Sequence, residues 1–213
     1  MAAYDLEEQE QLATLKAWWT ENGNLVMTAL SLVLILLAAW QGWNYYQRNQ
    51  AAQASALYDS VQKAARAGDL KQVRESAGAI LEQYPRTAYA AMAALVSAKA
   101  HFQSGDMKTA HAQLAWVAEN AGDEGLQDIA RLRLASVMLD EKAYDDALTA
   151  LDAKHGAAFD ALFLATRADV LVAQGKNEEA GSAYKSALEK ADAKDVGLRG
   201  SIELRLDALG AAK

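Results

Sequence analysis

A chain of 213 residues with a formal net charge of −7 and a pI near 5.0 offers no clustered Lys/Arg run, which argues against a nucleic-acid partner. It has no cysteine, so disulfides, cysteine–metal sites and thiol nucleophiles are excluded. Its single proline, Pro85, its abundant alanine and its lack of β-branched runs predict an all-α chain.

The first segment, 1–24, is a short acidic leader. Asp5, Glu7, Glu8 and Glu10 crowd its start, where carboxylates suit a helix dipole. Leu12, Leu15 and Trp19 fall at i, i+3 and i+7 on one helical face. Asn22-Gly23-Asn24 then predicts a break, with Gly23 as a stop and Asn24 as the cap of the next helix. The leader reads either as a short interfacial helix or as a solvated acidic tail.

The stretch 25–46 follows without a charge. Leu25 to Trp43 makes about 28 Å of helix at ~1.5 Å per residue, close to the ~30 Å of a bilayer's hydrocarbon core. Its Leu, Val and Ile side chains contribute roughly −0.3 to −0.6 kcal/mol each to insertion. Aromatics bracket it, Trp18 and Trp19 before and Trp40, Trp43, Tyr45 and Tyr46 at its end, as expected of side chains at a lipid interface. A cleaved signal peptide would want a basic start and a nearby small-x-small site. Here the start is acidic, and Ala52-Gln53-Ala54 lies well past the aromatics. The stretch is therefore read as a retained anchor in the lipid bilayer. Thr28 and Ser31 either face another transmembrane helix or bond to their own backbone. Lys16 before the span and Arg48 and Lys63 after it do not fix the orientation by charge. No proline separates Trp43 from Ala67, so the anchor is expected to run on as a stalk into the first repeat.

The remainder, 47–213, repeats. Turn signals recur at Gly68-Asp69, Gly105-Asp106, Lys142-Ala143 and Gly175-Lys176, at a period in the mid-thirties. That is the signature of helix–turn–helix units of the tetratricopeptide type. Seven residues before each signal stand Val61, Ala98, Ala135 and Ala168; five after stand Val73, Ala110, Ala147 and Ala180, the close-approach positions. Four further on come Ala77, Leu114, Leu151 and Tyr184. The spacing predicts helices at 47–66, 70–83, 87–103, 107–120, 124–140, 144–153, 157–173, 177–190 and 196–209, an α-solenoid of about four repeats whose last helix caps the open end. Leu57, Ala94, Arg131 and Leu164 stand where a repeat expects a large aromatic, and Arg131 and Arg167 leave the helix register open by about a residue in the third and fourth units.

No catalytic, cofactor or metal residue emerges. His101, His111 and His155 include no i, i+4 pair, and Gly122-x-x-Gly125 is an inter-repeat loop without the preceding strand of a phosphate cradle. Asp145-Asp146 and Glu178-Glu179 open second helices, where carboxylates favour the dipole. A protein-binding groove along the first helices is the better candidate, lined by Tyr58, Gln62, Met92, Leu95, Lys99, Phe102, Leu132, Ser136, Leu139, Asp169 and Val172.

The acidic leader, the junction Lys16 … Glu21-Asn22-Gly23, the apolar anchor, Trp43 with Gln47 and the degenerate repeats together resemble the YfgM family of ancillary SecYEG translocon subunits, bacterial inner-membrane proteins. The resemblance implies a cytoplasmic N-terminus and a periplasmic repeat domain. It implies as partners the SecYEG translocon, a membrane-anchored periplasmic chaperone of the peptidyl-prolyl isomerase type, and translocating client polypeptides. The family lends no catalytic residue. The alternative is a scaffold for envelope-assembly complexes that uses the same groove without the translocon.

Overall fold

The computed structural model describes the backbone of residues 2–211 and the side chains of residues 10–210. Asp5, Glu7 and Glu8 of the leader lie outside the described side chains. Among the described residues the secondary structure is helical, with no strand, and the chain divides into two compact units, Met1–Asn49 and Gln50–Lys213.

The first unit belongs to one helix, α1 (Ala2–Ala67). The predicted break at Asn22-Gly23-Asn24 does not occur. Asn22 Nδ2 donates to the Trp18 carbonyl at 3.1 Å, and Thr28 Oγ1 donates to the Asn24 carbonyl at 2.7 Å, so both asparagines sit inside an unbroken ladder. The Trp19 ring covers Gly23 closely enough that an added Cβ would lie 3.2 Å from it. A glycine inside a helix costs only about 1 kcal/mol, which a long helix with an apolar continuation absorbs. The expectation that the helix continues from the anchor to Ala67 agrees with α1.

The second unit holds the C-terminal end of α1 and eight further helices: α2 (Leu70–Gln83), α3 (Ala88–Gln103), α4 (Met107–Asn120), α5 (Glu124–Asp140), α6 (Tyr144–Leu151), α7 (Asp160–Ala173), α8 (Asn177–Lys190) and α9 (Val196–Ala211). The four turn signals share one backbone solution. Gly68, Gly105, Lys142 and Gly175 have φ of 72°, 85°, 62° and 75°, in the left-handed region. The next residue's N–H then reaches back to the helix it leaves: Asp69 to Ala64 O, Asp106 to His101 O, Ala143 to Met138 O and Lys176 to Leu171 O, at 2.8–3.0 Å. This closing bond is the Schellman stop. In the first two repeats the following aspartate also caps the second helix, Asp69 accepting from Gln72 N and Asp106 from Thr109 N. The Thr109 hydrogen bonds hold the Asp106 carboxyl below its usual value.

The third repeat makes the same closing bond with neither a glycine nor a capping aspartate, Lys142 and Ala143 standing in their places. Lys142 adopts a left-handed conformation that costs a side-chain-bearing residue roughly 1–2 kcal/mol, and glycine's greater unfolded-state entropy offsets only part of that. Lys142→Gly is therefore expected to stabilise the protein by about 1 kcal/mol, read as a rise in the urea midpoint of the detergent-solubilised chain. An unchanged or lower midpoint would show that the Lys142 turn carries no strain.

The small positions inferred from the repeat are the core. Val61, Ala135, Ala168, Val73, Ala110, Ala147 and Ala180 are fully buried, and Ala98, Ala77, Leu114, Leu151 and Tyr184 nearly so. The register of the third and fourth units is thereby fixed, and the two arginines within it are accommodated by pairing. Arg131 bonds Asp128 at 2.9 Å, Gln127 Oε1 and the Ala118 carbonyl; Arg167 pairs with Asp152. Asp128, only 2% exposed, also accepts from Gly156 N at 2.9 Å, pinning the loop after α6. That loop opens with α6 ending at Leu151 rather than 153, and a 3-10 turn at Ala157–Phe159 precedes α7.

α9 closes the stack. Ile202 is fully buried against Ala165, Ala168, Tyr184 and Ala187, with Leu198, Leu206 and Leu209 beside it. Arg199 donates to the Leu188 and Ala191 carbonyls at the end of α8. Tyr184 Oη donates to Asp169 Oδ1 at 2.6 Å, and Asp169 Oδ2 accepts from Arg205 at 2.8 Å, joining α8, α7 and α9. Burial first, then the bond to Asp169, pushes the Tyr184 phenol well above its usual 10.0. Above about pH 10 the unfolded chain has released this proton while the folded chain keeps it, so this stabilisation is present below that pH and lost as pH rises. Tyr184→Phe should lose about 1 kcal/mol at neutral pH and flatten the fall of the urea midpoint above pH ~10. An alkaline slope identical to wild type would place the titration elsewhere.

Candidate protein-binding groove and membrane span

Part of the predicted groove assembles. Lys99 and Phe102 on α3 and Ser136 on α5 line one cavity of about 290 Å³. Its floor is the buried side chains of Ala98, Leu114 and Val137, contributed by α3, α4 and α5. Three and four residues apart is the spacing that puts side chains on one helical face, which is why Lys99 accompanies Phe102. Gln62 joins Lys99 in a neighbouring cavity of about 300 Å³, with Val96 and Gln103, so the stem of Lys99 borders both.

Other predicted residues are placed differently. Leu95 is in the core, packed with Ala91, Leu114 and Leu134. Tyr58 packs on the core between α1 and α3, its ring 5.7 Å from that of Tyr89. Leu132 and Leu139 pack against the buried cluster of Leu151, Phe163 and Val170. Asp169 accepts from Tyr184 and Arg205 and lines neither of these two cavities. Met92 is half-buried and lines neither of these two cavities; Val172 is 38% exposed on α7. A lining residue that the sequence reading does not name is Arg133, which borders the same cavity as Lys99 and Phe102. Its signal is its place three residues before Ser136 on the same helical face.

Two of the three histidines lie close to carboxylates of the fold, although neither ring nitrogen of His101 makes a well-aligned hydrogen bond. His101 is buried with Nδ1 3.1 Å from the Asp106 carboxylate. His155 stacks on Phe163 at 3.8 Å, with Nδ1 2.9 Å from the Ala153 carbonyl and Nε2 3.4 Å from Asp160, which also pairs with Lys190. Among the described residues no cluster of three metal-ligating side chains is present.

α1 is long and apolar enough to cross a membrane once. Only 6% of its most apolar window is buried, whereas the core helix of a soluble domain is mostly buried. Leu25, Leu32, Ile35 and Leu36 are all more than half exposed. Trp18, Trp19, Trp40, Trp43, Tyr45 and Tyr46 are likewise exposed, with the Trp43 and Tyr46 rings 6.2 Å apart. Thr28 and Ser31 donate to carbonyls of their own helix, Asn24 at 2.7 Å and Met27 at 2.8 Å. The cost of placing these hydroxyls in hydrocarbon is thereby reduced.

The tetratricopeptide repeat-like domain family matches residues 16–211. The chain is 34% identical to the ancillary SecYEG translocon subunit of Neisseria gonorrhoeae, over 98% of this chain and 100% of that protein. It is 32% identical to the one of Haemophilus influenzae, over 87% and 90% of the respective chains, and 28% identical to that of Escherichia coli K12, over 85% and 87%. An apolar helix with its surface unburied, followed by degenerate helical repeats, is the organisation that the Neisseria gonorrhoeae alignment covers almost whole, and the chain belongs to the ancillary SecYEG translocon subunit family, built on a tetratricopeptide repeat-like domain.

Proposed function

We propose that this protein is a single-pass inner-membrane adaptor that associates with the Sec translocon and binds polypeptides through its repeats. Its N-terminus is cytoplasmic and its repeat domain periplasmic. There it assists newly translocated proteins together with a membrane-anchored chaperone of the peptidyl-prolyl isomerase type, and it performs no catalysis itself. The observation that carries this reading is the union, in one chain, of an unburied membrane-length apolar helix with a repeat stack that keeps an open apolar groove. The names of the relatives support the translocon as the partner. Large flexible and aromatic side chains such as Met92 and Phe102 suit varied apolar segments.

Site-specific photocrosslinking in native membranes tests it, with probes at Thr28, Ser31, Tyr46 and Phe102 and adducts identified by mass spectrometry. Adducts to SecY from the span, and to a chaperone or nascent clients from Phe102, are the expected result. Adducts only to unrelated envelope proteins would sink the translocon reading and favour the scaffold. Because the chain has no cysteine, single cysteines at Thr14 and Lys185 report orientation directly. Labelling of the Lys185 position from the periplasm, with the Thr14 position protected, is expected.

A further inference from the structure

The charges at the α3–α5 groove are unusual for this chain. Asp and Glu outnumber Lys and Arg by 28 to 21, yet the two charged residues lining this cavity, Lys99 and Arg133, are both cationic. Some cations of the repeats pair with carboxylates, as Arg74 does with Asp106, Arg131 with Asp128, Arg167 with Asp152 and Arg205 with Asp169, and others do not; what marks this cavity is that its charged lining is cationic around an apolar surface. Among the described residues, no carboxylate lies within ion-pair distance of Lys99 or Arg133. Both are exposed, and the same cavity is lined by the apolar side chains of Ala98, Phe102, Leu114 and Val137.

From this arrangement we infer that the groove takes an acidic segment of another polypeptide, seating one large apolar side chain between Lys99 and Arg133, which receive carboxylates flanking it. The volume, about 290 Å³, falls at the small end of binding cavities and suits one bulky side chain rather than a cofactor. Burying that side chain supplies affinity. The two cations, both lining this apolar cavity without internal counter-charges, supply selection, since complementary charge at an interface steers association and penalises a like-charged partner. Ser136 adds no competing charge, its hydroxyl already donating to the Leu132 carbonyl at 3.0 Å. The inference rests on the reading of the repeats as a polypeptide-binding domain and names the chemistry of the ligand.

The test is fluorescence anisotropy on the full chain in zwitterionic nanodiscs, with three short labelled peptides. One has a phenylalanine flanked by Asp and Glu, one the same phenylalanine flanked by lysines, and one a serine in the acidic frame. The acidic phenylalanine peptide is expected to bind at least about tenfold more tightly than either of the others and to weaken with salt. Lys99→Glu with Arg133→Glu should transfer the preference to the lysine peptide. Lys99→Gln with Arg133→Gln should abolish the preference while leaving the far-UV spectrum unchanged. Equal binding of the acidic and basic peptides, no binding of any peptide, or a preference untouched by charge reversal would each overturn the inference. If translocon adducts still form from Thr28 and Ser31 while the peptides show no acidic preference, the ligand assignment alone fails and the translocon adaptor reading stands.

Discussion

Asp128→Ala is expected to destabilise the repeat domain by about 3 kcal/mol. Asp128 is 2% exposed and makes two charge-assisted bonds, from Arg131 Nη1 and from Gly156 N, both at 2.9 Å. Truncating it leaves the Arg131 guanidinium, itself only 21% exposed, without its counter-charge, and breaking a buried pair from one side typically costs about 3–5 kcal/mol. The residual exposure of Arg131 puts the expectation at the lower end. The loss is mostly the penalty of the stranded charge, so Asp128→Ala combined with Arg131→Leu should recover most of it. What remains is the unmet Gly156 N–H, at about 1 kcal/mol, together with the Gln127 Oε1 and Ala118 carbonyl that lose their bonds from Arg131. Urea unfolding of the detergent-solubilised chain by circular dichroism measures both. Arg74→Ala, which removes an exposed pair with Asp106, serves as the control and should leave the midpoint nearly unmoved. A midpoint for Asp128→Ala within error of that control would show that the α5 loop clasp is not a stabilising element. A double variant no more stable than the single would show that the pair itself, not the stranded charge, carries the energy.

The same pair marks where sequence reading stops. The turn residues were legible because a left-handed stop is a local requirement: Gly68, Gly105 and Gly175 announce it, and the period carries it to Lys142, where composition alone would not. The buried small residues were legible because close approach of two helices repeats at fixed offsets from those turns. The span was legible from length and apolarity. Asn22-Gly23-Asn24 misled because its stop-and-cap chemistry is a local preference of about 1 kcal/mol, and the unbroken backbone ladder on both sides outweighs it. Side-chain direction was harder. Leu95, Asp169 and Arg133 lie on neighbouring faces of their helices, and a rotation of one residue decides which meets the core. Asp169 turns inward to partners on other helices, Tyr184 and Arg205, a contact no periodicity encodes. Arg133 lines the cavity, and among the described residues no carboxylate lies within ion-pair distance of it.

Ile202→Asp is expected to undock α9. A repeat stack buries each helix pair against its neighbour, so its last unit presents an apolar face that a terminal helix must cover. Ile202 is the residue of α9 that is fully buried there, over Ala165, Ala168, Tyr184 and Ala187. Ile202→Ala alone should cost about 2–5 kcal/mol through lost burial and the cavity left behind. An aspartate adds the cost of a carboxylate in a site whose nearby polar groups are already engaged, Arg205 by Asp169 and Arg199 by the carbonyls of Leu188 and Ala191. That sum is expected to exceed what docks a single sixteen-residue helix, so the helix should leave while the earlier repeats stay folded. Hydrogen exchange would then show amides of 196–211 unprotected, those of α3–α5 retained, and self-association through the bared α7–α8 face. Equal loss of protection across all repeats would instead mean that the stack unfolds as one cooperative unit and that α9 is integral to it. Unchanged protection of 196–211 would show that Ile202 does not anchor the cap. Since the groove at Lys99 and Arg133 is built from α3, α4 and α5, local undocking should leave binding of the acidic peptide intact, which separates loss of the cap from loss of the site.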